Sequence, residues 1–180
     1  IVIGEEEMHP FIHAQQRPDH PAYIMAASEE VVTYKQLNDR SNQIAQLARA
    51  RGLKVGDGIA IFMDNNVHFL EICWAAQRAG LYFTAVSSRL TAGEVDYIVR
   101  DCGAKFLFTS DYMKAEAAKL VDMLPEMAGM FMVGEAIDGY ESYLESRDAQ
   151  PAEPVADECR GLDMLYSSGT TGRPKGIRRA

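Results

Sequence analysis

Residues 58–109 contain three short apolar runs: Gly58-Ile-Ala-Ile-Phe-Met63, Leu81-Tyr-Phe-Thr-Ala-Val86 and Lys105-Phe-Leu-Phe-Thr109. Each run is almost continuously apolar rather than alternating, which is typical of strands buried on both faces of a sheet. The segments between the runs carry apolar residues at helical spacing. This order of strand and helix predicts an α/β fold, in which right-handed crossovers build a layered, mostly parallel sheet with helices on both faces.

Caps and glycines place the helix ends in this stretch. We expect Asn65 or Asn66 to cap the first helix, and Thr91 with Glu94 predicts a capping box for the second. Glycines that can end these two helices follow at Gly80 and Gly103.

Toward the N-terminus, residues 21–25 and 31–33 predict a hairpin of two short strands. Thr33 and Gln36 then predict another capping box, which starts a helix that ends near Gly52.

Toward the C-terminus, Asp111 is expected to cap a helix that Pro125 stops, and residues 130–133 are expected to form a further strand. The apolar face of that helix is predicted to hold Ala115, Ala118, Leu120 and Leu124. Residues 150–158 contain two prolines and mostly polar side chains, which predicts a linker or surface loop.

Composition narrows the class of protein. The chain has 180 residues, of which 47% are hydrophobic and 24% charged, as expected for a globular domain. A formal net charge of -8 argues against a nucleic-acid binder, which needs a basic face. Three cysteines without a Cys-x-x-Cys pair predict neither a disulfide framework nor a zinc site and favour a reducing, cytoplasmic location. No apolar run is long enough to predict a transmembrane segment.

The segment Tyr166-Ser-Ser-Gly-Thr-Thr-Gly-Arg-Pro-Lys-Gly176 reverses the acidic trend, because it contains two cations and no acid. It follows Leu162-Asp-Met-Leu165, which we interpret as a short strand that delivers the chain into a loop. Loops at the carboxyl ends of strands are where α/β sheets usually bind ligands. The C-terminal basic cluster consists of Arg173, Lys175, Arg178 and Arg179.

Phosphate binding accounts for this composition. Hydroxyl groups can donate to phosphate oxygens from Ser167, Ser168, Thr170 and Thr171. Glycines allow positive φ, so that successive amides can point at one anion, at Gly169, Gly172 and Gly176. Lys175 supplies a mobile positive charge.

Two other phosphate motifs do not fit. A P-loop requires Gly-Lys-Ser/Thr, but Arg173 and Pro174 separate Gly172 from Lys175. A dinucleotide-binding fingerprint requires three glycines, and Gly56-Asp-Gly58 lacks the third. A flexible polar surface loop is the remaining structural alternative.

The segment 166–176 resembles the phosphate-binding motif of the adenylate-forming superfamily, which includes acyl-CoA synthetases, luciferases and adenylation domains of peptide synthetases. The usual pattern is an aromatic residue, Ser or Thr, Ser-Gly-Ser/Thr-Thr-Gly, any residue and Pro-Lys-Gly. Weaker resemblances lie in Val32-Thr-Tyr-Lys-Gln-Leu37, Gly56-Asp-Gly-Ile-Ala-Ile61, Trp74-Ala-Ala-Gln-Arg-Ala-Gly80 and Leu90-Thr-Ala-Gly-Glu94. Residues 1–180 therefore resemble the N-terminal portion, and first subdomain, of such an enzyme's N-terminal domain.

The resemblance implies that the full-length protein joins a carboxylic acid to ATP with Mg²⁺. The acid that it implies is a fatty acid. The acyl-adenylate would then pass to coenzyme A. It implies ATP-phosphate contacts from Ser167, Ser168, Gly169, Thr170, Thr171, Gly172, Lys175 and Gly176. It assigns no catalytic residue and no metal ligand to these 180 residues.

The family's adenine pocket, magnesium-binding acid, acyl pocket and adenylation lysine come later in the chain. We therefore expect residues 1–180 to be a fragment without turnover of its own, with no closing strand after the loop. Two alternatives stay open: a non-catalytic phosphate-binding α/β module, or an adenylation domain of another branch of the superfamily. The acid, the thiol acceptor and the oligomeric state cannot be derived from these residues.

Overall fold

The computed structural model describes residues 9–167 and 174–178. In chain order its elements are α1 (Pro10–Gln16), β1 (Pro21–Ile24), β2 (Val31–Thr33), α2 (Tyr34–Ala50), β3 (Gly58–Phe62), α3 (Phe69–Arg78), β4 (Tyr82–Ala85), α4 (Ala92–Asp101), β5 (Ala104–Ser110), α5 (Lys114–Met123), β6 (Gly129–Val133), β7 (Glu141–Ser142), α6 (Tyr143–Asp148), β8 (Leu162–Ser167) and β9 (Lys175–Arg178).

A mostly parallel sheet forms the centre of the structure. Within the described ranges it has seven strands in the order β7-β6-β5-β3-β4-β8-β9. All neighbours pair in parallel except β8 and β9, which are antiparallel. The chain moves from β3 to β4 on one side and then returns to β5 on the other. The predicted α/β fold is therefore confirmed.

Helices cover both faces of this sheet, because successive residues of each buried strand point to opposite sides. On one face, Ile59 and Ile61 of β3 pack with α2 and α3. On the other face, Ala60 and Phe62 of the same strand pack with α4 and α5. The continuous apolar character of β3 thus has the physical cause that the sequence suggested, namely burial on both sides.

The predicted hairpin and both predicted capping boxes are present. Strands β1 and β2 pair antiparallel. The Thr33 hydroxyl accepts from the Gln36 amide at 3.2 Å, and the Gln36 side chain accepts from the Thr33 amide at 3.0 Å. The Thr91 amide donates to Glu94 Oε2 at 2.8 Å. The glycines after α2, α3 and α4 have positive φ, at Gly52, Gly80 and Gly103.

Two predicted caps are wrong. Helix α3 begins at Phe69 rather than at the asparagines, because Asn66 Oδ1 accepts from the His68 amide and forms a local turn instead. Asp111 lies in a short 3₁₀ turn before α5, and its carboxylate accepts from the Glu135 amide, so a contact with the next strand's end replaces the cap.

The predicted apolar face of α5 is only half right. Leu120 and Leu124 are buried, but Ala115 and Ala118 are exposed, and the intervening Ala117 is buried in their place. A 3₁₀ turn precedes the helix, and small alanines on both of its faces did not indicate which face is buried. The end of the helix before Pro125 is as predicted.

Residues 150–158 contain no helix or strand and lie along α2. Side-chain amides of α2 donate to their backbone carbonyls: Asn42 to Ala152 at 2.7 Å, and Gln43 to Gln150 at 3.1 Å. The division of the chain at this stretch stays a prediction. Among the helices of the described residues, none is long and apolar enough to cross a bilayer.

Gly161 sets how β8 enters the sheet beside β4. A Cβ at this position would collide with the carbonyl oxygens of Ala76 and Leu81 and lie 2.9 Å from the Leu81 amide nitrogen. Because these are backbone atoms, they cannot rotate away. We expect Gly161→Ala to cost about 1–3 kcal/mol of stability, as overpacking does, and to lower the thermal unfolding midpoint.

The matched control is Gly93→Ala on α4, where an added Cβ meets nothing within 4 Å. That change should leave the midpoint unchanged or raise stability by up to about 1 kcal/mol. Equal effects of the two substitutions would contradict the contact-based explanation for Gly161.

Candidate phosphate-binding site

Strands β8 and β9 form an antiparallel hairpin, and they contain the first and last residues of the segment 166–176. Ser167 pairs with Lys175, Tyr166 with Gly176, Leu165 with Ile177 and Met164 with Arg178. The expectation of no closing strand is therefore wrong. The residues after the segment continue the sheet, since β8 offers a free edge for β9 to pair with. Lys175 is the first residue of a strand.

Of the three predicted ligands inside the described ranges, Ser167, Lys175 and Gly176, the first two are directly opposite each other. Cross-strand partners have Cβ atoms about 4.5–5.5 Å apart, and both residues are exposed. Ser167 ends β8, which runs parallel to β4, so the pair lies at the carboxyl edge of the sheet. The predicted ligands Ser168, Gly169, Thr170, Thr171 and Gly172 lie outside the described residues.

The two faces of the hairpin differ. Ser167 and Lys175 share one face with Leu165 and Ile177, which are 49% and 55% exposed. The opposite face carries Met164, which is buried, and Tyr166, which packs on the core beneath α4. Ser167 and Lys175 thus lie on an open surface, while the side chains on the opposite face of the hairpin pack against the core.

Gly176 has a different role from the one that the composition of residues 166–176 suggested. Its φ lies outside the left-handed region, so positive φ is not the reason for glycine here. A Cβ on Gly176 would lie 2.5 Å from Met164 Cε and 3.0 Å from the Tyr166 ring. Glycine leaves room here for these two side chains, which cross over the strand. Its predicted contact with ATP stays a prediction.

Arg178 does not join Lys175 in one cationic site. Its guanidinium lies 4.1 Å from the centroid of the Tyr82 ring and donates to the Gly56 carbonyl at 3.1 Å. Three residues along a strand span about 10 Å, and alternation turns the two side chains to opposite faces. The two described members of the basic cluster therefore lie toward opposite edges of the sheet, Lys175 at the carboxyl edge and Arg178 at the amino edge, while Arg173 and Arg179 lie outside the described residues.

Helix α4 contacts both described ends of the segment. The Tyr166 hydroxyl donates to Asp101 Oδ2 at 2.5 Å. The Tyr97 hydroxyl donates to the Pro174 carbonyl at 3.3 Å. Burial, followed by the hydrogen bond to Asp101, raises the pKa of Tyr166, so the phenol stays protonated and remains a donor at neutral pH.

An open cleft of about 720 Å³ lies between α4 and Pro174. Its charged lining residues are Glu94, Asp96, Arg100 and Asp101. Three carboxylates against one guanidinium repel a triphosphate. The open face with Ser167 and Lys175 is the better place for phosphate oxygens. Within the described ranges, His, Cys, Asp and Glu nowhere form a group of three that could hold a metal ion.

A buried polar cluster around Glu71 escaped the sequence analysis. Glu71, on α3, is fully buried. Its carboxylate accepts from the Tyr143 hydroxyl at 2.5 Å and from Arg147 at 2.7 Å, and it pairs with His68 at 2.9 Å and with Arg40 at 3.5 Å. The sequence signal for this cluster is an acidic residue at a core-facing position of α3, between Ile72 and the turn that precedes the helix.

Burial alone would raise the pKa of Glu71, but the hydrogen bonds from His68 and Tyr143 and the charge of Arg147 outweigh it and hold the pKa below its usual value. The cluster joins α2, α3 and α6 on one face of the sheet. We interpret it as structural, because its polar groups satisfy one another.

Comparison with known proteins assigns the chain to a family. The family model described as AMP-binding enzyme matches residues 11–179. A fatty acid–[acyl-carrier-protein] ligase, ScoC, from Streptomyces coeruleorubidus is 35% identical over 92% of this chain and 31% of its own length. The long-chain-fatty-acid–CoA ligase FadD13 of Mycobacterium tuberculosis is 32% identical over 89% of this chain and 32% of its own.

A solved structure agrees with these sequence relatives. Acetoacetyl-CoA synthetase from Streptomyces lividans superposes with a TM-score of 0.81 at 27% identity, over 94% of this chain and 29% of that protein. The chain therefore spans about a third of the length of the relatives it matches. The resemblance drawn from residues 166–176 is confirmed, and by its sequence and its fold this chain belongs to the AMP-binding enzyme family.

Proposed function

We propose that the full-length protein activates a carboxylic acid with ATP, forming an acyl-adenylate and releasing pyrophosphate. In this reaction the carboxylate attacks the α-phosphorus while negative charge builds on the departing pyrophosphate. Donors and cations that already point at the β- and γ-phosphates lower that barrier. Ser167 and Lys175 supply one hydroxyl and one cation for this purpose.

The observation that supports the proposal most directly is the pairing of Ser167 with Lys175 at the carboxyl edge of a parallel sheet. Both side chains are exposed on the same face, where a polyanion can approach them. Ser168, Gly169, Thr170, Thr171 and Gly172 complete the phosphate contacts in this proposal, on the strength of the family motif.

Mg²⁺ belongs to the proposal as the counter-ion of ATP. Among the described residues, no three His, Cys, Asp or Glu side chains come together as a metal-binding group. Mg²⁺ commonly keeps its waters and binds substrate phosphates with one or two carboxylates.

The acyl acceptor in the proposal is coenzyme A, and the acid is a fatty acid. One relative is named as a ligase to coenzyme A and another as a ligase to an acyl carrier protein. The two acceptors share a thiol, so the first half-reaction is the same for both. A cytoplasmic location completes the proposal, and the free thiols of Cys73, Cys102 and Cys159 are compatible with it.

Exchange of labelled pyrophosphate into ATP tests the first half-reaction. We expect the full-length protein to catalyse exchange only when a carboxylic acid is present, and residues 1–180 alone to be inactive. Product analysis with coenzyme A or a carrier protein then identifies the acceptor. ATP binding without acid-dependent exchange would favour the second candidate, a non-catalytic phosphate-binding module, and would overturn the proposal.

A further inference from the structure

Ser167 and Lys175 have little support on their own side of the hairpin. Both are exposed, and β9 is exposed along its whole length. Among the strands in the described ranges, β8 pairs with β4 only through Leu162 and Asp163. Residues 164–167 of β8 therefore have no strand pairing with β4, and contacts from outside the sheet must help to hold this end of the hairpin.

Helix α4 provides the missing contacts from the opposite face. Tyr97 and Asp101 are four residues apart, so they lie on one face of the helix. The Asp101 carboxylate holds the Tyr166 hydroxyl at 2.5 Å, one residue before Ser167. The Tyr97 hydroxyl holds the Pro174 carbonyl at 3.3 Å, one residue before Lys175.

The packing beneath these bonds keeps them in place. Tyr166 lies against the core under α4. Gly176 leaves the space in which the Tyr166 ring crosses the neighbouring strand. Burial and the hydrogen bond to Asp101 raise the pKa of the Tyr166 phenol further above its usual value. The helix itself is fixed to the sheet by buried residues at Val95, Ile98 and Val99.

We propose that Tyr97 and Asp101 are positioning residues for the ATP-phosphate site, because they tie the residues that precede Ser167 and Lys175 to one face of α4. The proposal rests on the proposed function, since it assumes that Ser167 and Lys175 contact phosphates. In this proposal Tyr97 and Asp101 act through Pro174 and Tyr166 rather than on ATP itself. They fix the separation and direction of two groups that contact it.

Removing single hydroxyl groups tests this role with little change in shape. The variants are Tyr97→Phe, Tyr166→Phe and the double variant, each in the full-length protein. A displacement of about 1 Å in a reacting geometry can cost about 10²-fold. We therefore expect each single variant to lose about 10-fold, and the double variant about 10²-fold, in kcat/KM for ATP in pyrophosphate exchange.

A split between the two substrates separates positioning from folding. The KM for the carboxylic acid should stay at the wild-type value, and amides of Lys175–Arg178 should exchange with deuterium faster. The matched control is Tyr140→Phe, because the Tyr140 hydroxyl also donates to a backbone carbonyl, that of Ala117 at 3.0 Å, within the core. It should lower thermal stability while the dependence on ATP is unchanged.

Three results decide the matter. Wild-type protein without any acid-dependent exchange overturns the proposed function, and the positioning role with it. Active wild type with unchanged kcat/KM for ATP in the double variant overturns the positioning role alone. A double variant that behaves like Tyr140→Phe, with lower stability and no selective effect on ATP, also overturns it.

Discussion

Replacing Lys175 with alanine is expected to slow pyrophosphate–ATP exchange by about 10²- to 10³-fold, as the loss of one preorganised donor does in other enzymes. Lys175 is an exposed cation that begins β9 opposite Ser167. In the proposed reaction its charge would interact with the departing pyrophosphate more strongly than with bound ATP, because negative charge grows there. The expected loss therefore falls mainly on kcat.

The control for this experiment is Lys119→Ala. Lys119 is a surface lysine of α5 whose side chain is 59% exposed and pairs with Glu116 on the same helix. That variant carries the same charge change and should exchange pyrophosphate at the wild-type rate. If Lys175→Ala also exchanged at that rate, Lys175 would have no part in the chemistry.

Replacing Glu71 with glutamine should produce the largest loss of stability. The change keeps the size of the side chain but removes the buried counter-charge of Arg147, whose side chain is 7% exposed, and leaves it only the exposed carboxylate of Asp148. Breaking a buried ion pair by removing one partner typically costs about 3–5 kcal/mol. The measurement is the opening free energy of the slowest amides in Gly58–Phe62, from hydrogen exchange in the full-length protein.

The matched control is Glu126→Gln. Glu126 pairs with Arg100 at the surface, where its side chain is 57% exposed. Exposed ion pairs contribute about 0–1 kcal/mol of stability, so the opening free energy of this variant should be close to that of the wild type. A similar, small loss in both variants would show that the Glu71 cluster does not stabilise the fold.

The same cluster predicts a pH dependence. The pKa of Glu71 is lower in the folded protein than its usual value of 4.5. Its contribution is therefore fully present above that usual value and is lost as the pH falls through the folded pKa. The difference in opening free energy between wild type and Glu71→Gln should shrink as the pH falls below about 4.5.

Prediction from sequence succeeded where one local interaction decides the outcome. Thr33 with Gln36 and Thr91 with Glu94 form the predicted boxes, since the groups that bond are three residues apart. It failed at Asn66 and Asp111, whose side chains found other partners. Asp111 bonds to the Glu135 amide, which is distant in sequence and near only in the folded chain.

The candidate site shows the same division. The order of residue types in residues 166–176 carries the resemblance that predicts the family, because such a motif is a short local stretch of sequence. The hairpin that sets Lys175 opposite Ser167 and turns Arg178 away from them did not follow. Strand pairing depends on a free edge of β8, and composition does not show edges.

By itself, the sequence determined the α/β class, the helix ends with local caps and the identity of the phosphate motif, since each depends on residues that are close in the chain. Only the tertiary structure decided that α4 holds both flanks of that motif and that Glu71 is buried among Arg147, Tyr143 and His68. Those contacts join residues up to 77 positions apart. Such pairs meet only after the sheet has assembled and its helices have packed on both faces.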